Sequence, residues 1–204
     1  MNTINRKGFT LVELLIVIVV IGILAAMMML SSTEAVTSAK ATKIISDMNQ
    51  LKRAALAWYL DNYQRINATK SDGFYVDGKK FHELLNGKSA EITKYISSTN
   101  VALNSKTANY SSNAQNEYGA QVGYYALYMG NGNTVCYVVY RISQNNTAAE
   151  ETALKQKLQA RASSAGLLKY RYGNKDSSNK STSKTSLYDG VDANVFMKVF
   201  ELEE

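Results

Sequence analysis

One carboxylate lies where a charge is costly. Glu13 sits inside an apolar run from Phe9 to Leu30 and is the only charge between Lys7 and Glu34. A charged side chain at the centre of a membrane helix costs roughly 2.5–3.5 kcal/mol on insertion scales. That cost is offset when a cation meets the carboxylate in the same dry environment. The alternative is that Glu13 stays at the membrane edge, snorkelling or protonated. Directly ahead of the run stand Arg6, Lys7 and Gly8.

Elsewhere the residues that do chemistry are sparse. The chain has one histidine, His82, and one cysteine, Cys136. A lone pair of this kind provides neither a zinc cluster nor an internal disulfide. No nucleophile–base pair can be built on His82, which reads as a surface or half-buried residue. Cys136, within Val135-Cys136-Tyr137-Val138, reads as a small buried hydrophobe. The sequence Asp189-Gly190-Val191-Asp192-Ala193-Asn194 places oxygen ligands in a tight turn. Asp189 and Asp192 are therefore candidate Ca2+ ligands, although the spacing is not that of an EF-hand. A solvated turn before the last strand is the simpler reading. The chain reads as a non-enzyme with no cofactor, Ca2+ being the one ion considered.

Of the fourteen tyrosines, Tyr124, Tyr125, Tyr128, Tyr137 and Tyr140 lie in predicted strands, where sheet packing accounts for them. Four Asn-x-Ser/Thr triplets, at Asn67, Asn109, Asn145 and Asn179, arise easily in an Asn-rich chain. The net charge of +6 falls to +4 once Arg6 and Lys7 are set aside as a topology signal. That mild balance makes no case for nucleic acid.

These residues need elements to position them. Phe9 to Leu30 is long enough to cross a bilayer, which takes roughly 20 residues. No small-residue cleavage site follows it, so it is not a removable secretory signal. Arg6 and Lys7 place the N-terminus in the cytoplasm. The helical pattern continues, with Ile44, Met48, Leu51, Ala55 and Trp58 at spacings of three and four. Lys40, Lys43, Asp47, Gln50 and Arg53 alternate with them as the polar face. One helix is expected from about Phe9 to Tyr63, all-apolar over 9–30 and amphipathic over 31–63.

Residues 64–120 read as a long polar connection. It carries turns at Ser71-Asp72-Gly73 and Asp77-Gly78 and a short strand at Phe74–Val76. Helical pieces are expected at Lys80–Leu85 and Ala90–Ile96, and an Asn/Ser-rich loop over 104–117. Over 121–204 a sheet is expected. Gln121–Met129 and Thr134–Ile142 flank Gly130-Asn131-Gly132-Asn133 as a hairpin. Residues 148–168 read helical, capped by Thr147 and Glu150, with Leu154, Leu158 and Ala162 on one face. A strand is expected to follow at Leu167–Tyr172. Asn174–Ser186 reads as a loop. Asn194–Leu202 reads as the last strand, with Val195, Met197 and Val199 opposite Phe196, Lys198 and Phe200.

The junction Lys7-Gly8-Phe9-Thr10-Leu11-Val12-Glu13-Leu14-Leu15 resembles the class III leader of type IV pilins and pseudopilins. The resemblance covers about the first 25 residues. It implies an α+β pilin-like fold, in which a long N-terminal helical spine packs on a C-terminal antiparallel sheet. Here the sheet has an extra helix between strands, as in pilins of some Gram-positive bacteria. It implies that residues 1–8 are a leader, cut between Gly8 and Phe9 by a membrane-embedded prepilin peptidase, and that the new Phe9 amine is N-methylated. That amine, with an unperturbed pKa near 7.7–8.0, is the cation expected to meet Glu13 of a neighbouring subunit.

Gly22 matches the glycine near which such helices loosen in filaments. Many relatives carry a proline eight residues further on, where this chain has Leu30, and it has no proline anywhere. Major pseudopilins bind calcium in a loop comparable to 189–194. The implied partners are further copies in a helical filament, the prepilin peptidase, an inner-membrane assembly platform, and lipid before assembly. The implied location is the cytoplasmic membrane with the N-terminus inside, then a surface pilus or a periplasmic pseudopilus. The alternatives to a pilus subunit are a pseudopilin of type II secretion, a minor or DNA-uptake pilin, and a membrane-tethered enzyme or receptor domain.

Overall fold

The computed structural model describes residues 9–70, 73–76, 79–80, 91–96, 125–130, 135–142, 147–171 and 184–201. Residues 1–8, His82, the 104–117 stretch, Tyr124, the hairpin residues 131–133 and most of 174–186 lie outside the described residues.

Helix α1 runs unbroken over Leu11–Asp61, roughly 77 Å at about 1.5 Å per residue. It begins two residues later than expected because Thr10 is extended, with φ −78° and ψ 151°, and caps it. It ends two residues early at Asn62, whose backbone N–H and side-chain Nδ2–H both donate to the Trp58 carbonyl. A 3-10 turn, Tyr63–Arg65, follows.

The connection is more strand-like than its composition suggests. Strands β1 (Ile66–Lys70), β2 (Gly73–Val76) and β3 (Lys79–Lys80) form a small antiparallel sheet. β2 matches the strand expected at Phe74–Val76. β1 was not expected, because Ile66-Asn67-Ala68-Thr69-Lys70 has one large apolar residue and its ladder comes from pairing with β2. Lys80 is strand rather than helix, and 81–90 lie outside the described residues. The helical piece expected at Ala90–Ile96 is a 3-10 turn, Glu91–Tyr95, that buries Ile92.

The head is a five-stranded sheet of β4 (Tyr125–Gly130), β5 (Val135–Arg141), β6 (Leu167–Arg171), β7 (Lys184–Leu187) and β8 (Asn194–Glu201). The order is β4-β5-β8-β6-β7, every pair antiparallel, so the last strand lies at the centre. Between β5 and β6 come α2 (Ala148–Ala160) and the single turn α3 (Ala162–Ala165). The helical region stops before 167–168 because Gly166 takes the left-handed conformation, φ +65°, as its C-cap. β7 corrects the loop reading of Asn174–Ser186: its polar residues carry no period, and β6 supplies the ladder.

One side of the sheet packs on α1. Ala41, Ile44, Met48, Leu51, Ala55 and Trp58 form a core with Tyr125, Leu127, Cys136, Val138, Tyr140, Val195, Met197 and Phe200. Leu154, Leu158 and Ala162 join the same core, as their shared helical face requires. A second cluster on the other side holds Ala126, Tyr128, Val135, Tyr137, Val139 and Phe196. Phe200 departs from strict alternation. Cys136 faces Phe200 while Tyr137 faces Lys198, so Val199 is an extra residue in β8. The bulge turns Phe200 to the spine side, where it stacks on Tyr59 with ring centroids 4.3 Å apart.

Asp47 also departs from the pattern. Predicted on the polar face, it is buried against the sheet. Its Oδ2 accepts from the Tyr125 hydroxyl at 2.9 Å and pairs with Lys43 at 2.7 Å. Burial first, and the nearby carboxylate second, push ionisation of the Tyr125 hydroxyl far above its usual range. Tyr140, its ring 4.8 Å from that of Tyr125, is shifted the same way.

Candidate functional site

The two halves of α1 have different environments. From Ala41 to Trp58 one face is buried under the sheet. From Phe9 to Leu24 every large apolar side chain is 49–90% exposed. Burying one such side chain contributes roughly 1.5–3 kcal/mol, so this surface requires a lipid or protein cover. The helix is long and apolar enough to cross a membrane.

Glu13 has a local role that sequence reasoning missed. Its Oε2 accepts from the Thr10 backbone N–H at 2.8 Å and from the Thr10 hydroxyl at 2.9 Å, while the Glu13 N–H donates to Thr10 Oγ1 at 3.3 Å. This is a capping box, and the signal was legible as Thr10-x-x-Glu13 before an apolar run. Phe9 precedes the cap, outside the helix and 90% exposed. Thus Phe9 and Glu13 lie at one end of the spine, and Gly8 lies outside the described residues. Gly22 sits mid-helix with nothing within 4 Å of where a Cβ would stand.

The turn at 189–194 is occupied by protein groups. Asp189 forms an ion pair with Lys169 and accepts from the Val191 N–H. The Lys169 ammonium, first among the causes, holds the Asp189 carboxyl below its usual range. The Asp192 contribution to this turn is its backbone oxygen, which accepts from the Tyr188 hydroxyl at 2.7 Å. Lys155 donates to the Val191 carbonyl at 3.1 Å. Among the described residues no group of three His, Cys, Asp or Glu side chains is arranged to hold a metal ion. Cys136 is fully buried, and burial pushes its thiol up, away from the reactive thiolate.

Further residues that the sequence did not mark tie the pieces together. Trp58 Nε1–H donates to Glu91 at 3.0 Å, and Arg65 pairs with the same carboxylate at 3.4 Å. Arg161 and Lys157 reach from α3's approach and α2 to the spine, at Ser38, Thr42 and Glu34. No sequence signal joins groups over 100 residues apart.

The family described as the prokaryotic N-terminal methylation motif matches residues 4–29. Two curated relatives, each a fimbrial protein of Pseudomonas aeruginosa, are 36% identical over 83 residues, which is 40% of this chain and 54% of the relative. The chain thus spans about half the length of the curated relatives it matches. No solved structure matches it. With the methylation motif at its start, an exposed apolar half-helix and a spine packed on an antiparallel sheet, the chain is similar to type IV pilins.

Proposed function

We propose that this chain is the structural subunit of a type IV pilus or a related filament. The observation that carries this reading is the division of α1, with one half sealed under the head and the other a fully exposed apolar rod. The precursor rests in the cytoplasmic membrane through residues 9–30, with Arg6 and Lys7 inside. Prepilin peptidase cuts between Gly8 and Phe9, and the Phe9 amine is N-methylated. At the assembly platform the rod leaves lipid for a bundle of identical rods, and the heads face outward. Glu13 then pairs with the Phe9 amine of a neighbouring copy. This offsets the burial of both charges and sets the axial register. Gly22 lowers helix propensity by about 1 kcal/mol relative to Ala within the rod. The subunit acts as a building block, not as an enzyme.

We further propose that the 189–194 turn works without Ca2+, because Lys169 already neutralises Asp189. This favours a pilus subunit over a calcium-dependent pseudopilin.

The test is the N-terminus of the chain in purified surface filaments. The expected chain begins at Phe9 and carries one added methyl group by mass spectrometry, and Gly8→Ala leaves the precursor uncut. Recovery of the chain only as a membrane protein beginning at Met1, or normal cutting of Gly8→Ala, overturns the reading.

A further inference from the structure

The spine has no covalent marker for where it stops being free. Leu30 is not a helix breaker, and no proline occurs. Yet its support changes abruptly. Residues 33–36 are exposed, and Thr37 is the first buried position among the described side chains. That boundary coincides with α2. Lys157 Nζ pairs with Glu34 Oε1 at 2.7 Å. Just after α2, the Arg161 guanidinium takes hold of two successive turns of the spine. Its Nη1 donates to the Ser38 carbonyl at 3.2 Å and to Thr42 Oγ1 at 2.7 Å, and its Nη2 donates to Ser38 Oγ at 2.8 Å.

The strap is itself held firmly. A capping box at Thr147 and Glu150 fixes its start. Leu154 and Leu158 seat it in the core, and Lys155 ties its other flank to the Val191 carbonyl. A planar guanidinium fork is well suited to this task, because it grips backbone and side chains in one fixed geometry. Local opening starts where tertiary contacts are fewest, and a helix without packing is only marginally stable in water.

We propose that α2 and Arg161 form a strap that sets the limit of opening in the spine. The spine unwinds only N-terminal to Glu34, and everything beyond it moves with the head as one body. Each residue that opens ahead of Glu34 gains up to about 1.8 Å on passing from helix to extended chain.

The first test is hydrogen–deuterium exchange on the full chain in detergent micelles, and it does not depend on the filament reading. In Lys157→Ala/Arg161→Ala, peptides over 34–43 are expected to exchange about tenfold faster, with 44–58 unchanged. Ser38→Ala/Thr42→Val, made from the spine side, should reproduce the effect, and Arg161→Lys should restore part of the protection. Unchanged exchange over 34–43 in both double variants overturns the proposal. So does an equal rise across 44–58, which marks general destabilisation of the head. The second test rests on the proposed function: filaments of Lys157→Ala/Arg161→Ala should extend further than wild-type filaments at equal pulling force, and equal extension overturns the proposal. If the wild-type chain forms no filaments, the functional reading fails while the exchange result stands.

Discussion

Asp47 is the sharpest test of how the head grips the spine. Its carboxylate is buried at the helix–sheet interface and accepts from the Tyr125 hydroxyl at 2.9 Å. Asp47→Ala removes a hydrogen bond to a charged acceptor, worth about 1.5–3 kcal/mol, and strands a buried hydroxyl. Relief of the carboxylate's own desolvation offsets part of this. We expect a net loss of about 2 kcal/mol, which for a chain of this size lowers the melting temperature by about 4–8 °C. Asp47→Asn keeps an acceptor for Tyr125 and should lose roughly half as much. Once Tyr125→Phe has removed the donor, Asp47→Ala should cost markedly less, because no orphaned hydroxyl remains. The assay is thermal melting of the full chain in detergent, followed by near-ultraviolet circular dichroism. Two results refute the reasoning: Asp47→Ala melting within about 1 °C of wild type, or the two single losses simply adding in the double variant.

Four further outcomes are expected. Glu13→Gln keeps a side chain able to close the capping box with Thr10 but removes the charge. It should be cut at Phe9 yet give few filaments by electron microscopy, and wild-type-like filaments would exclude a charge role. Millimolar Ca2+ or a chelator should leave the melting temperature unchanged, whereas a calcium-dependent rise would show that a cation displaces Lys169 from Asp189. Gly190→Ala should lose roughly 1–2 kcal/mol, because φ is +77° and the added Cβ would stand 2.7 Å from Gln159 Oε1; an unchanged melting temperature would count against this. The Glu91 carboxyl is held below its usual range, chiefly by the Trp58 N–H and then by Arg65. A lowered folded value adds stability above the unfolded value of about 4.3 and loses it as pH falls through the folded value. Melting temperature should therefore hold between neutrality and about pH 5 and fall below it, with a shallower acid decline in Glu91→Gln.

Local pattern explains which elements could be read in advance. The 3.6-residue recurrence of Ile44, Met48, Leu51, Ala55 and Trp58 marked both the helix and the face that the sheet covers. Thr147 and Glu150 marked the start of α2 because a capping box closes within four residues. β5 and β8 were legible as apolar runs rich in Val and aromatic residues. β1 and β7 were not, because polar strands gain their order from a neighbour and not from their own residues. The Val199 bulge was hidden for a similar reason: alternation is a property of one strand, but register belongs to a pair.

The candidate site divides along the same line. Sequence alone marked the Lys7–Leu15 motif, the apolar rod and the misplaced carboxylate at Glu13, since each rests on hydropathy or on spacings of a few residues. Only the tertiary structure decided the rest. It turned Asp47 from the polar face into the core, because Tyr125, 78 residues away, supplies its donor. It filled the Asp189 turn with Lys169. It tied the spine to α2 and its end at Glu34, Ser38 and Thr42, through Lys157 and Arg161, more than a hundred residues further along the chain. A buried charge or a strap is defined by what lies across the gap, and the gap exists only once the chain has folded.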